Sequence, residues 1–405
     1  MKAEAGMSEK IIESGDGYSA FLSAAREVEE ILHAHPEISD ADLADGYMYL
    51  AGMWEFHLER MFKGGDVDRP CFVRVMDSHR SWGLSTPDHH YYAAQIDGNG
   101  EYRITGKKGR TVDYCFEILS GLVGDDGVPG ERIDALEVGG IQIEADGTFE
   151  LFVGTAPRSR NWLKAGPTAR TIFVRQTTSD WYTEQATAML IERLDLSDDA
   201  MLPRRLSVEA VQQKFRTAAR NLVQQVRFLE SFRQNWLAVL PLNELPSPVI
   251  APADAGYFPG QFNTKCRFSF APGEALLVTI APSTARYQSI ALGHPLWFNS
   301  IDPRQHQSTL NLVQSTLSSD GMLRYVISAE DPGIVNWLDT AGHTSGFIFV
   351  RYQCVVGGPP VQPIVVKLPL SDLKNVLGPH ERCVNAADRF DSLRNRRLSL
   401  EGRFF

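Results

Sequence analysis

The feature that most constrains the fold of this 405-residue chain is an internal repeat. The first half contains IQIEADGTFELFVGTAPRSRNWLKAGPTARTIFVRQ, and the second contains STLSSDGMLRYVISAEDPGIVNWLDTAGHTSGFIFVRY. Each copy has an Asp-Gly turn, an apolar strand, the tripeptide Asn-Trp-Leu and a strand ending in Phe-Val-Arg. The similarity extends over 85–176 and 252–352, and its period of about 170 residues is too long for a solenoid. The sequence therefore predicts a duplicated domain.

The repeated segments have the composition of antiparallel β-sheet. Runs rich in β-branched and aromatic residues, such as CFVRVM, YYAAQI and TIFVRQT, alternate with turns that contain Gly, Asp, Asn and Pro. Glycine suits tight hairpin turns because it accepts positive φ angles. We therefore predict a mainly β fold with helical additions (α+β), in which the duplication gives two tandem antiparallel β-sandwich or jelly-roll-like units.

Three amphipathic stretches predict the helical additions. Apolar residues recur at three- and four-residue spacing after Asp16, after Ser39 and Asp40, which are predicted N-caps, and after Ser207, a further predicted N-cap. The last stretch is a long middle helix, whose apolar stripe would pack on the sheets or on a partner helix, so a homo-oligomer through this helix is one expectation. The predicted regions are an N-terminal helical region at 1–66, the first β-sandwich repeat at 67–200, the long helix and a Pro-rich connector at 201–250, the second β-sandwich repeat at 251–370 and a C-terminal tail at 371–405.

Charge and cysteine usage narrow the class of partner and the compartment. The formal net charge is −10, which disfavours binding to the phosphate backbone of nucleic acids. Arg394, Arg396 and Arg397 form the densest basic cluster, which we interpret as a solvated tail. The five cysteines have no Cys-x-x-Cys spacing, no apolar run reaches membrane-spanning length, and the N-terminus lacks the apolar stretch of a secretory signal. We therefore expect a cytoplasmic protein without a membrane partner.

The best candidate for catalysis is a difference between the two copies. The second copy has Asp339 and His343 in a Gly-containing loop, where the first has Lys164 and no matching histidine. A carboxylate beside an imidazole can orient the ring and make it a general base, so Asp339 and His343 are the predicted catalytic residues. The alternative is that Asp339 caps a turn and His343 is a surface residue.

Polar residues among apolar ones suggest a binding pocket near that loop. Arg175 and Arg351 end equivalent strands and could bind an anionic group, although paired structural arginines are the alternative. The Asn-Trp-Leu motifs have a structural interpretation too, in which the Trp plugs the end of a sandwich and the Asn binds loop backbone. The predicted substrate-binding residues are Asn336, Trp337, His294, Asn299, Tyr257 and Arg351.

Metal and cofactor signals are weak. Asp77, His79, Asp88, His89 and His90 are close in sequence, but neighbouring residues of a strand point to opposite faces, so His89 and His90 would not readily share an ion. We therefore predict no metal site. The cofactor is unknown: no nucleotide-binding motif is present, and a non-covalent haem or flavin is left open.

Several segments in combination resemble a bacterial family named domain of unknown function 1214. They are GYMYLAGMWEFHLERMF, FVRVMDSHRSWGLSTPDHHYYAAQI, YRITGKKG and DPGIVNWLDTAGHTSGFIFVRY, and the resemblance extends over approximately 40–355. It implies a β-sandwich fold with helical additions and no established reaction, substrate or cofactor. Relatives commonly carry Asn-Pro-Asp where this chain has Thr86-Pro87-Asp88, so no role that needs an amide is transferred to Thr86.

Two functions follow from these observations. The leading hypothesis is an enzyme that acts on a small, largely apolar metabolite by acid–base chemistry, in a pocket of the second β repeat. The alternative is a non-catalytic small-molecule-binding or assembly protein built on the duplicated β-sandwich. A deep apolar cavity with converging polar groups favours the enzyme, whereas an empty, narrow site near His343 favours the alternative.

Overall fold

The structure is a computed structural model, and it describes most of the chain. The described residues are 16–35, 38–128, 130–198, 202, 205–251, 258–378 and 381–403. Tyr257, one of the predicted substrate-binding residues, lies outside them.

Helices flank the β units at both ends and between them. Their bounds are α1 (Gly17–His33), α2 (Asp40–Phe62), α3 (Val208–Asn235), α4 (Leu373–Leu377) and α5 (Ala386–Gly402). The side-chain oxygens of Ser39 and Ser207 accept hydrogen bonds from the backbone N–H groups of Asp42 and Ala210, each at 3.1 Å. These bonds satisfy N–H groups that have no partner within the helix, and they confirm the two serines as the predicted N-caps.

The first β unit consists of two sheets. Its strands are β1 (Val73–Met76), β2 (His89–Gln95), β3 (Tyr102–Lys107), β4 (Asp113–Leu119), β5 (Arg132–Glu137), β6 (Thr148–Gly154), β7 (Trp162–Lys164), β8 (Thr171–Thr177) and β9 (Ala188–Arg193). The five-stranded sheet has the order β1-β2-β8-β4-β5, and the four-stranded sheet has the order β7-β6-β3-β9.

The second β unit repeats this arrangement. Its strands are β10 (Val249–Ile250), β11 (Phe262–Ser269), β12 (Glu274–Ile280), β13 (Tyr287–Gly293), β14 (Thr309–Asn311), β15 (Leu323–Ser328), β16 (Trp337–Asp339), β17 (Ser345–Gln353) and β18 (Ile364–Pro369). The five-stranded sheet has the order β10-β11-β17-β13-β14, and the four-stranded sheet has the order β16-β15-β12-β18.

The two strand orders match position by position, which confirms the predicted duplicated, mainly β fold. Trp162 pairs with Phe152 in a parallel β6–β7 ladder, and Trp337 pairs with Val326 in the equivalent β15–β16 ladder. The two tryptophans therefore lie on equivalent elements. Lys164 and Asp339 likewise each end their short strand, as the sequence comparison assumed.

Side-chain alternation along β8 and β17 places one set of residues in each sandwich and the other set outside it. Ile172 and Val174 belong to the core of the first unit, and Ile348 and Val350 belong to the core of the second. The intervening residues, among them the arginines of both Phe-Val-Arg sequences, face away from these cores. The two five-stranded sheets present this second face to each other, and Thr177 Oγ1 donates a 2.9 Å hydrogen bond to Gln353 Oε1 across the seam.

The apolar stripe of the long helix α3 is buried against other parts of the same chain. Its buried residues include Ala218, Leu222, Val226 and Leu229, which join a third core built mainly from α1 and α2. Because the stripe already packs within the chain, it gives no support to a homo-oligomer through this helix, which stays a prediction. Within the described part of the chain, every helix falls short of the length and apolarity that a bilayer crossing requires.

Of the three C-terminal arginines interpreted as a solvated tail, Arg394 and Arg397 are exposed, whereas Arg396 is buried, so the interpretation is wrong for Arg396. Arg396 is buried, its guanidinium lies 4.7 Å from the centre of the Trp181 ring, and its Nη2 donates a 2.9 Å hydrogen bond to the Thr309 carbonyl. Arg403 donates to His90 and to Thr178. Helix α5 therefore packs across both units, because an amphipathic arginine can cover an aromatic ring while its polar head finds acceptors.

Candidate ligand-binding cavity at the seam between the units

The faces that the two five-stranded sheets present to each other enclose a cavity of about 400 Å³. Phe173 and Arg175 of β8 and the equivalent Phe349 and Arg351 of β17 line it together. A volume in the range of about 300–1,000 Å³ is typical of small-molecule sites. The duplication therefore builds a shared space that neither unit encloses by itself, and we call it the seam cavity.

Most of the wall of the seam cavity is apolar and aromatic. Helix α3 closes one side with residues from its last two turns and just beyond. The apolar lining residues are Met76, Trp82, Leu84, Tyr91, Leu119, Leu122, Val123, Phe173, Phe228, Leu229, Phe232, Trp236, Phe258, Phe298 and Phe349. Such a wall gains free energy by removing apolar ligand surface from water, at about 25 cal/mol per Å².

Charged residues occupy the remaining wall on the side of the first unit. Glu117 is fully buried and accepts hydrogen bonds from Arg175 Nε at 2.8 Å and from Arg132 Nε at 2.5 Å. The Arg175 guanidinium also lies 4.6 Å from the centre of the Phe258 ring. A buried carboxylate held between two guanidinium groups satisfies its charge while leaving this wall with a net positive charge.

The wall on the side of the second unit carries Arg351 and Lys265. The Arg351 guanidinium lies 3.7 Å from the centre of the Phe349 ring and donates a hydrogen bond to the Leu84 carbonyl. Lys265 Nζ lies 3.7 Å from the centre of the Trp236 ring. Burial, and then the positive charge of Arg351, lower the pKa of Lys265 to about 7. This amine therefore exchanges its proton near neutral pH.

Strand register shows that the two copies have diverged at the cavity. Glu117 lies opposite Phe173, and the equivalent position opposite Phe349 is Ala291. Lys265 also lies opposite Phe349, and its equivalent opposite Phe173 is Ala93. The first copy therefore supplies the carboxylate and the second copy supplies the amine.

His89 lies at the edge of the cavity in a fixed, neutral form. Gln353 Nε2 donates to its Nε2 at 3.0 Å, so the proton is on Nδ1, which donates to Thr86 Oγ1 at 2.6 Å. Burial, and then the charges of Arg351 and Arg175, hold the pKa of His89 well below its usual value. The neighbouring His90 instead contacts Arg74 and Arg403, so the two histidines do not share a site.

The predicted catalytic pair does not form, which corrects the hypothesis from sequence. Asp339 is hydrogen-bonded to His306 Nδ1 at 2.7 Å and to the Ala341 N–H at 2.8 Å. Ala341 and Gly342 both adopt positive φ angles, of 56° and 85°, and this turn carries His343 to the side of helix α2. His343 therefore faces Asp42 and Asp45, at 3.6 Å and 3.4 Å, and does not line the seam cavity.

Two of the predicted pocket residues have structural roles instead. Asn336 donates to the carbonyls of Thr316 and Arg324 and accepts from the Thr316 N–H, and Asn161 makes the same three kinds of bond in the first copy. Trp337 is buried and donates to the Ser328 carbonyl at 3.2 Å. Both residues therefore anchor the loop, which was the alternative interpretation of the motif.

The remaining predicted binding residues divide between the cavity and its surroundings. Arg351 lines the seam cavity, whereas His294 and Asn299 belong to the loop after β13. His294 Nδ1 accepts from the Leu296 and Trp297 N–H groups, at 3.1 Å and 3.3 Å, and its Nε2 lies 3.2 Å from Asp45 Oδ2. The repeat, in which both Phe-Val-Arg sequences end equivalent strands, was the signal for Arg175 and Arg351, but no local pattern indicated Lys265 or Glu117.

Asp42, His294 and His343 lie close enough to share a cation, with one ligand atom of each within 4.8 Å of the others. The tautomer of His294 opposes this use. Because its Nδ1 accepts two backbone N–H groups, its Nε2 carries the proton and points at Asp45. A protonated nitrogen cannot bind a metal ion. These residues and Asp45 therefore form a hydrogen-bonded clamp between α2 and the second unit. Hydrogen bonds from His294 and His343 hold the pKa of Asp45 far below its usual value.

Elemental analysis tests this interpretation. Protein purified without added metal is expected to contain no stoichiometric zinc or iron, and added zinc is expected to leave the melting temperature unchanged. The reason is that the His294 Nε2 atom carries a proton, whereas a metal ligand must offer a lone pair. About one bound ion per chain, lost in a His343→Ala variant but kept in a His33→Ala variant, would overturn it. His33 is exposed and lies outside the clamp.

Comparison with known proteins gives a related fold without an activity. No family model matches the chain, and no curated protein matches it. Among solved structures, the chain is similar to an uncharacterised protein from Burkholderia cenocepacia, with 26% identity and a TM-score of 0.78, over 89% of this chain and 99% of that chain. A weaker likeness, with 10% identity and a TM-score of 0.41, is to the VPA0106 protein from Vibrio parahaemolyticus, over 78% of this chain and 98% of that chain.

Proposed function

We propose that the protein binds a small, mostly apolar molecule that carries an anionic group, and that the seam cavity is its site. The observation that carries this proposal is the meeting of Arg175, Arg351 and Lys265 on an otherwise aromatic wall. Aromatic walls favour an apolar body, and guanidinium groups bind carboxylate or phosphate oxygens in a matching planar geometry.

The charge of the lining supports an anion over a neutral ligand. The ionic groups of the described lining are the guanidinium groups of Arg132, Arg175 and Arg351, the amine of Lys265 and the carboxylate of Glu117. Glu117 is already engaged by Arg132 and Arg175. A ligand carboxylate would therefore enter a cavity with an excess of positive charge and low polarity, where electrostatic attraction is strong.

The enzyme hypothesis and the binding hypothesis differ in what Lys265 does. The acid–base chemistry predicted for His343 and Asp339 is assigned instead to Lys265, because its pKa of about 7 lets it accept or give a proton at neutral pH. In the alternative, a non-catalytic binding protein, the same amine only adds positive charge. Recovery of chemically changed ligand after incubation favours the enzyme, and recovery of unchanged ligand favours the binding protein.

A matched pair of ligands tests the proposed specificity. Calorimetry is expected to show that 4-phenylbutyrate binds and that 4-phenyl-1-butanol, which lacks the charge, binds more weakly. Arg351→Gln is expected to weaken binding of the acid by about 10–100-fold, since a hydrogen bond to a charged group is worth about 1.5–3 kcal/mol. Its effect on the alcohol is expected to be small.

The matched control is Arg103→Gln. Arg103 is on β3, outside the seam, and its ion pairs with Glu192 and Glu150 are with partly exposed partners. This variant is expected to bind 4-phenylbutyrate like the wild type. Equal binding of acid and alcohol, or an Arg351→Gln variant that melts normally and binds the acid unchanged, would contradict the proposal.

We also propose two assignments made from the sequence, namely the family and the cellular location of the protein. Membership of the family named domain of unknown function 1214 is supported by the β units with helical additions, which are the fold that the resemblance implied. A cytoplasmic location is supported by the five cysteines, which are all free. Reducing compartments keep thiols in this form.

A further inference from the structure

We propose that Lys265 forms an imine with ligands that carry a carbonyl group next to their anionic end, which makes apolar 2-oxo acids the favoured ligand class. This inference rests on the proposed function, because it uses the same cavity and the same anion-binding arginine. It adds a covalent step and a narrower class of ligand.

The position of Lys265 is the first argument. On β11, Cys266 and Phe268 point into the core of the second sandwich, so Lys265 points to the opposite face, which is the face that lines the seam cavity. Its neighbour across the β11–β17 ladder is Phe349, and Arg351 is two residues further along the same strand. A ligand whose carboxylate is held by Arg351 would therefore place the adjacent carbonyl carbon on the side of Lys265.

The surroundings of the amine are the second argument. Nζ lies 3.7 Å from the centre of the Trp236 ring and 5.5 Å from the centre of the Phe349 ring, so the amine is set among aromatic groups. Among the lining residues that the structure describes, the other charged and titratable ones are Glu117, Arg132, Arg175, Arg351, His89 and Tyr91. Burial and Arg351 lower the pKa of Lys265 to about 7, so a large fraction of the amine is neutral and nucleophilic at that pH.

The two copies differ at the position of Lys265, and this difference also supports a role in ligand chemistry. Ala93 occupies the register position of Lys265 in the first unit, and the equivalent strand there forms with alanine at this position. The scaffold therefore does not need a lysine at this place. Burying a long cationic side chain costs free energy, and a side chain that the fold does not require is best explained by what it does to a ligand.

The proposed step balances without a further reactant. The lone pair of the neutral Lys265 amine adds to the carbonyl carbon, and the carbonyl π electrons move to oxygen, which takes up a proton while the nitrogen loses one. The hydroxyl group of the resulting carbinolamine takes up a proton and leaves as water when the nitrogen lone pair forms the C=N bond, and loss of the remaining N–H proton gives the neutral imine. One water is released and no electrons are exchanged with another molecule. The imine can then be protonated and act as an electron sink.

Reductive trapping tests the step. The protein is incubated with phenylpyruvate and cyanoborohydride, which reduces an imine to a stable secondary amine, and the product is analysed by intact mass and peptide mapping. We expect one adduct per chain, on Lys265, whose rate of formation has its midpoint near pH 7. An ordinary lysine titrates near 10.4, so its neutral fraction at pH 7 is roughly 1,000-fold smaller.

Two variants and one comparison ligand, 4-phenylbutyrate, decide the outcome. Lys265→Arg keeps the charge without the nucleophile and is expected to abolish the adduct, whereas Lys367→Arg, on an exposed residue of β18, is expected to leave it unchanged. An adduct on other lysines, or one that survives in Lys265→Arg, would overturn the inference. If 4-phenylbutyrate binds in an Arg351-dependent manner while phenylpyruvate gives no adduct, the imine is refuted and the proposed function stands. If neither ligand binds, the proposed function fails as well.

Discussion

Replacing Asp88 by alanine is expected to lower the free energy of unfolding by about 3–5 kcal/mol, because three buried hydrogen-bond donors would lose the carboxylate that they share. The carboxylate of Asp88 is fully buried and joins the two units. Within the first unit, Trp181 Nε1 donates to it at 2.6 Å. From the second unit, the Tyr287 hydroxyl donates at 2.8 Å and Asn311 Nδ2 donates at 3.0 Å.

The expected loss of stability depends on the buried hydrogen-bond donors that Asp88→Ala would leave without an acceptor. Three buried donors would lose an acceptor, and each unsatisfied buried group costs about 1–3 kcal/mol. Burial raises the pKa of Asp88, while the three donors and the nearby Arg403 lower it in part. The acid is therefore costly to bury and is retained because its partners converge on it from both copies of the repeat.

Urea unfolding of Asp88→Ala measures the change, with Asp146→Ala as the matched control. Asp146 is exposed in a hairpin turn, where its carboxylate accepts hydrogen bonds from the N–H and hydroxyl groups of Thr148. The control is expected to lose about 1 kcal/mol or less. An Asp88→Ala protein as stable as the control would show that the two units are held together by other contacts.

Acidification from pH 7 to pH 5 is the second large effect that we expect. Burial is the main cause that lowers the pKa values of His57, His89, His90 and His294, and it lowers that of His57 to about 3. In the unfolded chain these groups return to a pKa near 6.5. At these four histidines the unfolded state therefore binds more protons than the native state below about pH 6.5, so their contribution to stability falls as the pH falls. His306, whose pKa is raised in the native state, offsets part of this loss.

Each buried neutral histidine contributes a calculable part of this pH dependence of stability. A histidine that stays neutral in the native state down to pH 5 contributes about 2 kcal/mol less stability at pH 5 than at pH 7, from the proton-binding difference between the two states. The stability is fully present above the unfolded pKa and is lost as the pH falls below it. Asp45, whose pKa is lowered in the native state, adds a further loss only at more acidic pH.

The measurement is the free energy of unfolding at pH 7, 6 and 5 for the wild type and two variants. His57→Gln replaces a fully buried histidine by a side chain that does not titrate, so about 2 kcal/mol of the pH dependence is expected to disappear. His33→Gln, at an exposed position, is expected to keep the slope of the wild type. A flat stability profile between pH 7 and pH 5 would be inconsistent with neutral buried histidines.

The fold was predictable because the signals that carry it are local and occur twice. The turn, strand and Asn-Trp-Leu segments recur in both halves, so each copy supports the interpretation of the other. The capping serines of α2 and α3 were also readable, since a cap depends on residues three positions apart. The equivalence of Arg175 and Arg351 followed from the same repeat, and it identified two residues of the seam cavity.

The partners of the candidate site were not predictable, because they depend on packing between distant segments. Asp339 and His343 are close in sequence, yet Asp339 pairs with His306 and His343 faces helix α2. Periodicity shows that α2 has a buried face but does not show which loop lies next to its first turns. Lys265 was missed for a similar reason: its role depends on Trp236 at the end of α3, far away in sequence.

The duplication suggests how a site arises from a repeat. Two similar units that pack face to face bring equivalent residues together, and later substitutions can then make the shared space asymmetric. Glu117 in one copy and Lys265 in the other are such differences, since their equivalents are Ala291 and Ala93. The scaffold is common to both units, whereas the chemistry at the seam depends on where they differ.

A crystal structure of the protein soaked with 4-(4-bromophenyl)butyrate tests the central claim most directly, because the anomalous signal of bromine locates the ligand independently of the protein. We predict that the bromophenyl ring lies among the aromatic residues of the seam cavity. Its carboxylate is predicted to lie about 2.7–2.9 Å from a guanidinium nitrogen of Arg351 or Arg175, which is the usual length of such a bond. A ligand bound elsewhere at a concentration that saturates binding in solution, or one whose carboxylate points away from both arginines, would contradict the account.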